Sequence, residues 1–142
     1  LALGTSIAIM DSGRIVQSGA PREIYERPGT EFVARFFGAN VVRGKSAGTT
    51  IMTPFGALEI PSPTRIGAAT IAFMPDAVQI ESATDGALNV RSVTYLGAYR
   101  EIGLANDQCA FIAVQRSPLP PPPVNSRVNI RIEASAVHIF PD

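Results

Sequence analysis

Histidine and cysteine occur once each among the 142 residues, and tryptophan does not occur at all. A single cysteine, Cys109, excludes an internal disulfide and every cysteine-rich metal site. It sits in the apolar run 109–114 and reads as a core residue. His138 stands between Val137 and Ile139 with no ligand-forming neighbour at metal spacing, so it reads as a partly buried structural residue. An excess of one charge is also missing: 12 Lys+Arg balance 12 Asp+Glu. That balance, with aromatics at 7%, argues against a nucleic-acid-binding barrel, which needs a basic groove and stacking platforms. No apolar run approaches the roughly 20 residues of a membrane span. No basic-then-apolar leader is present, and the chain is expected to be soluble and cytoplasmic. Nucleotide and acid–base signatures are lacking as well. Gly44-Lys45-Ser46 has no upstream glycine to make a phosphate loop, Gly97 and Gly103 form no dinucleotide fingerprint, and the carboxylates are scattered singly.

What is present is a buried-core composition, 46% hydrophobic and 17% charged, with 12 glycines and 12 prolines that suit short strands joined by turns. Ser6 to Gln17 reads as a hairpin, with Gly13 taking a positive φ in the turn Asp11-Ser12-Gly13. Pro21 opens a short helix with Glu23 in its first turn, and Pro28-Gly29 stops it. Thr30 caps a second helix, Glu31 to Phe37, ended by Gly38; Phe32, Val33, Phe36 and Phe37 form one wide apolar stripe.

From Val41 onward the pattern changes to strands: 41–43, 49–53, 57–60, 69–73, 78–81, 88–95, 99–104, 110–115, 128–132 and 137–140. Residues 129–133 alternate polar and apolar with period two, the mark of a half-buried strand. Pro54-Phe55-Gly56 is a turn and Pro61-Ser62-Pro63 a connector. Ser117 to Pro123, with five prolines, reads as a stiff loop between strands rather than a polyproline ligand. Strands at this spacing predict a mainly β chain built on a small barrel or sandwich.

Three strings then carry a resemblance. The segment 7–21, IAIMDSGRIVQSGAP, is followed by Glu23-Ile24-Tyr25-Glu26-Arg27-Pro28, then by Phe32-Val33-Ala34 and Phe36-Phe37-Gly38. In that order they resemble the end of the ATPase domain in the maltose/polyamine/ferric-iron importers of the ATP-binding cassette (ABC) family. The remainder resembles the accessory TOBE domain of the same subunits, an OB-fold-like small β-barrel. Phe73-Met74-Pro75-Asp76-Ala77-Val78 is similar to its Arg-Pro-Glu turn, with Met74 for Arg and Asp76 for Glu. Val93-Thr94-Tyr95-Leu96-Gly97 is similar to its strand-to-turn motif, and 128–140 to its last strand pair.

The resemblance implies residues 1–40 as the remnant of an ATPase domain and 41–142 as the TOBE-like barrel, in a piece of a longer parent, since the chain begins with Leu1. It implies a parent that couples ATP hydrolysis to solute import, with ATP and Mg²⁺ as the parent's cofactors, while this stretch holds neither and is not itself an enzyme. The implied partners are a second copy of the subunit, transmembrane permease subunits at the inner face of the membrane, and a small-molecule regulator. Polyamine or iron is the solute to which the run 32–40 leans. The candidate ligand or interface residues are Pro75, Asp76, Tyr95, Leu96 and Gly97. Val41-Val42 and Tyr95-Leu96 are candidate pairing surfaces, against the plainer reading of each as core. The alternative is a stand-alone module that binds an oxyanion or a sugar through backbone amides near Gly97 or Gly103.

Overall fold

A computed structural model of the chain describes residues 5–116 and 119–141. The first four residues of the ATPase-like stretch, and Ser117 and Pro118 of the proline run, lie outside the described residues. The chain opens with a hairpin, β1 (Ile7–Asp11) and β2 (Arg14–Gly19). Asp11 pairs with Arg14, so the turn has two residues. Both have positive φ, 53° at Ser12 and 81° at Gly13. That geometry matches the right-handed twist of the flanking strands. Gly13 is the expected residue there; Ser12 is the unforeseen one.

Two short helices follow, α1 (Pro21–Glu26) and α2 (Glu31–Phe36). Pro21 stands at the first helical position of α1. The Thr30 hydroxyl accepts the Val33 N–H, which satisfies one of the free donors at the start of α2. Gly38 follows with φ 90°, as a C-terminal cap requires. Gln17 of β2 ties the helix linker down: its amide donates to Arg27 O and its oxygen accepts from Gly29 N. Ile9, Ile24 and Val33 form a small apolar cluster between hairpin and helices. The four-residue stripe of α2 is not one buried face. Val33 is fully buried, whereas Phe32 and Phe36 are 39% and 60% exposed.

The rest is two five-stranded antiparallel sheets around a common core. One sheet runs in the order β12-β6-β3-β4-β5, the other β10-β9-β8-β11-β7. Their strands are β3 (Asn40–Ser46), β4 (Thr50–Thr53), β5 (Gly56–Glu59), β6 (Gly67–Phe73), β7 (Gln79–Ser82), β8 (Leu88–Tyr95), β9 (Tyr99–Ala105), β10 (Ala110–Arg116), β11 (Arg127–Arg131) and β12 (His138–Pro141). Every strand read from the sequence is present, with ends shifted by up to three residues. Gly44, Lys45 and Ser46 lie within β3, not in a loop. The proline run connects β10 to β11.

Strand β6 is central and buried from Ala69 to Phe73. Ala69, Ile71 and Phe73 join the main core, while α2 packs on β3 and β6. A polar chain fastens that helix to the sheet. Glu31 accepts from Arg35 and from Arg43, each at 2.9 Å, and Arg43 also donates to the Thr70 hydroxyl. The hydrogen bond from Arg35, then that from Arg43, holds the Glu31 carboxyl below its ordinary range.

Three rings join the two sheets. Phe111 of β10 lies 5.2 Å from Phe55, in the β4–β5 turn, and 5.3 Å from Phe73, at the end of β6. The Asn40 side chain bridges the same seam: it donates to Ile112 O at 2.7 Å and accepts Ile112 N–H at 3.2 Å. One amide thereby satisfies both backbone groups of a residue on the sheet edge. Asn106, between β9 and β10, donates to Pro54 O and Ala87 O and accepts from Gln108 N and Cys109 N. Val42 is buried in this core and Val41 half-buried, the plainer of the two readings for that pair.

Truncating Phe111 removes a ring from both neighbours at the seam. Phe111→Ala is expected to lower the urea unfolding free energy by about 3–5 kcal/mol. His138 gives a pH dependence. Burial pushes its imidazole below the ordinary value of 6.5. As pH falls the unfolded chain binds that proton first. Stability is therefore full above the ordinary imidazole range and declines on acidification through it toward the folded value. His138→Gln is expected to flatten the urea-midpoint profile between about pH 7 and pH 5.

Candidate functional site

A cleft of about 780 Å³ opens beside the far end of β10. One wall is a 3-10 turn, Pro75–Ala77, running into β7. Pro75 fixes φ at the first position of the turn, and the Ala77 and Val78 amides close onto Met74 O and Pro75 O. The turn places the exposed Asp76 on the rim and buries Val78 beneath it. The opposite wall is the far end of β10, Val114 to Arg116, with Ala98 and Tyr99 from the β8–β9 hairpin.

Of the five sequence-predicted residues, Asp76 lines the cleft and Pro75 starts the turn that holds it. Tyr95, Leu96 and Gly97 lie on the β8–β9 hairpin whose next two residues line the cleft, but they do not line it themselves. Gly97 has φ 87° at the tip, a conformation that favours glycine, and the Leu96 N–H closes the hairpin onto Tyr99 O. Tyr95 is 69% exposed, and Leu96 and Tyr99 beside it are exposed too. The tip is therefore an apolar projection next to an open cleft. Gly103 differs in kind: it lies inside β9, where a Cβ would come within 2.4 Å of Ser92 Oγ. Glycine there accommodates the β8 bulge between Val90 and Ser92.

Sequence reading missed Arg100. It is 95% buried by its relative exposure of 5% and sits in β9 on the inward face with Ile102 and Leu104. The register sets Tyr95, Arg100 and Gln115 opposite one another across β8, β9 and β10. Arg100 Nε donates to Gln115 Oε1 at 3.3 Å, while its buried Nη2 has no hydrogen-bond partner among the described residues. The signal was in the alternation: period two places residue 100 with 102 and 104.

The single cysteine is half-buried and packs against the main core. Its thiol contacts Asn106 Oδ1 at 3.4 Å, and burial pushes its pKa up, which disfavours the thiolate. No group of His, Cys, Asp and Glu among the described residues could hold a metal ion. No helix among them is long and apolar enough to cross a membrane.

Residues 72–140 match the TOBE domain family. Related sequences include a "Fe(3+) ions import ATP-binding protein" of Streptomyces avermitilis, 37% identical over 72% of this chain and 30% of the relative. The protein of the same description from Streptomyces coelicolor is 30% identical over 98% of this chain and 40% of the relative. An "sn-glycerol-3-phosphate import ATP-binding protein" of Jannaschia sp. is 30% identical over 99% of this chain and 41% of the relative. The chain thus spans 30–41% of the length of these relatives. Among solved structures, the molybdate-bound form of the cytoplasmic molybdate-binding protein ModG superposes with a TM-score of 0.56 at 14% identity, over 72% of this chain and 96% of that one. That likeness shows the fold, an OB-like β-barrel. The chain carries a TOBE domain and belongs, as their TOBE-bearing C-terminal part, with the ATP-binding subunits of ABC importers.

Proposed function

We propose that this chain is the regulatory and dimer-supporting part of an ABC importer's ATP-binding subunit, and that nucleotide chemistry belongs to the rest of the parent. The observation that carries this reading is the extent of the relatives' similarity. Two of them align over 98% and 99% of the chain, through hairpin, helices and barrel alike. In this reading residues 1–40 close the ATPase domain and 41–142 form the accessory barrel. ATP and Mg²⁺ are bound by the parent's own phosphate-cradling loop and carboxylates. The parent works with transmembrane permease subunits and is held by them at the inner face of the membrane. Ferric iron is the favoured solute, because relatives named for its import resemble this chain; polyamine is the runner-up from the run 32–40.

Pairing gives the barrel a physical task. ATP clamps two ATPase domains together and hydrolysis releases them. A barrel that stays paired through the cycle keeps the two subunits at high effective concentration. A small regulator that binds one state better than the other shifts the cycle by its differential affinity. The β8–β9 tip suits such a contact: Tyr95, Leu96 and Tyr99 present apolar surface whose burial is worth about 25 cal/mol per Å². Sedimentation equilibrium is expected to find a dimer, and the double variant Tyr95→Ser with Leu96→Ser to raise the dissociation constant roughly tenfold or more. A wild-type monomer at high concentration overturns the pairing role.

A second reading, a stand-alone binder of a small oxyanion or a sugar, is favoured by one observation: the ModG structure that shares the fold was solved with molybdate bound. It would use backbone amides at the Gly97 tip. Calorimetric titration with molybdate tests it: the binding module requires a saturable heat, and silence removes it.

A further inference from the structure

Arg100 poses an electrostatic problem that the described residues do not solve. A guanidinium keeps its charge at every pH a protein survives. Burying one is costly unless it is paired and fully hydrogen-bonded. Here the residue is 5% exposed, its Nη2 is buried without a partner, and none of the ion pairs among the described residues includes it. Apart from Gln115, directly opposite on β10, its inward-facing neighbours Ile102 and Ala113 are apolar. The only described contact of its head is the 3.3 Å bond to Gln115, at the long end of the useful range.

Gln115 is also part of the cleft wall. Gln115 thus touches both the buried cation and a cleft of about 780 Å³, whose lining does not include Arg100 itself. The charged groups facing this space are Arg116 and Asp76. Asp76 is exposed and enters no ion pair among the described residues, so it does not serve as the missing counter-ion. Otherwise the walls are largely apolar, with Val78, Ile80, Val114 and Leu119.

We propose that Arg100, gated by Gln115, is the anchor of a binding site for a small organic anion. A carboxylate or phosphate head takes the free guanidinium edge, and an apolar body lies along Val78, Ile80 and Leu119. The oxygen pair of either head matches the fork of the guanidinium, and a charge-assisted bond in a sheltered place is among the strongest a protein makes. Such a ligand supplies the counter-charge that the fold withholds. The site does not depend on the pairing role, and it is separate from the backbone amides of the Gly97 tip.

The test is an NMR titration of the full chain with phenylacetate, phenyl phosphate, inorganic phosphate and molybdate as separate probes. The reporters are the Arg100 Nε–H resonance and the backbone amides of Tyr99, Gln115 and Arg116. Saturable shifts of all of them with phenylacetate or phenyl phosphate are expected, and whichever saturates first names the head group. Inorganic phosphate and molybdate, which lack an apolar body, are expected to bind more weakly by roughly tenfold. Arg100→Met is expected to weaken the preferred probe at least tenfold with the circular dichroism unchanged. If that variant does not fold, Gln115→Ala decides: removing the gate frees Nε, and affinity should rise a few-fold. The proposal is overturned by silence of the Arg100 Nε–H across both organic probes. It is equally overturned by binding that Arg100→Met or Gln115→Ala leaves untouched. Molybdate shifts confined to the Gly97 tip would support the oxyanion module and count against this site.

Discussion

The joint between the two sheets is the constraint on which the rest depends. Each sheet has an apolar inner face that cannot remain in water, and neither is large enough to fold back on itself. Phe55, Phe73 and Phe111 come from a turn, the end of a central strand and an edge strand, and their edge-to-face and tilted packing closes one side of the barrel. Aromatic packing alone would leave edge backbone groups unpaired at that seam. Asn40 repairs this by acting as a single rung of ladder toward Ile112. Asn106 repairs it at the turns by donating to carbonyls of Pro54 and Ala87, far apart in the chain. Toward the other end of β10, Gln115 pairs with Arg100 and lines the cleft together with Asp76.

The hairpin and helices are a second, smaller body of packing joined to the first by a polar chain and by the packing of α2. Their cluster rests on Ile9, Ile24 and Val33, and the link to the barrel runs through Glu31, Arg43 and Thr70. A link of partly exposed ion pairs is worth little by itself. The packing of α2 on β3 and β6 supplies the rest, and it explains why β6 is buried on both faces.

Legibility followed the range of the interaction. Thr30 as a cap, Pro21 as a helix start and Gly38 as a stop act within four residues, and all stand where the sequence put them. Strand β8 matched its expected ends, and β11 its alternation, because period two is a local property. The stripe on α2 was legible as a stripe, but apolar residues say only that something covers them or could cover them, not which neighbour does. The Asn40 and Asn106 bridges were illegible, since an asparagine near a turn has many local uses and nothing in its neighbours names a partner many residues away. Arg100 shows the remaining gap. Its phase in the strand pointed inward, but a charged residue is ordinarily assigned to the surface, and that assumption outweighed the pattern.

Taken alone, the sequence determined the mainly β class, the order of the elements, the short helices with their caps, and the absence of a disulfide. Together with the strings at 7–38 and 73–97, it also identified the family. Each follows from preferences expressed over a few residues. Tertiary structure alone decided which three rings join the sheets and which residues line the cleft. It decided that Asp76 and the Tyr95–Gly97 tip stand near one opening without sharing a wall, and that a cation lies beneath Gln115. Those outcomes depend on registers and on contacts between residues tens of positions apart, where the energy belongs to the pair and neither residue announces it.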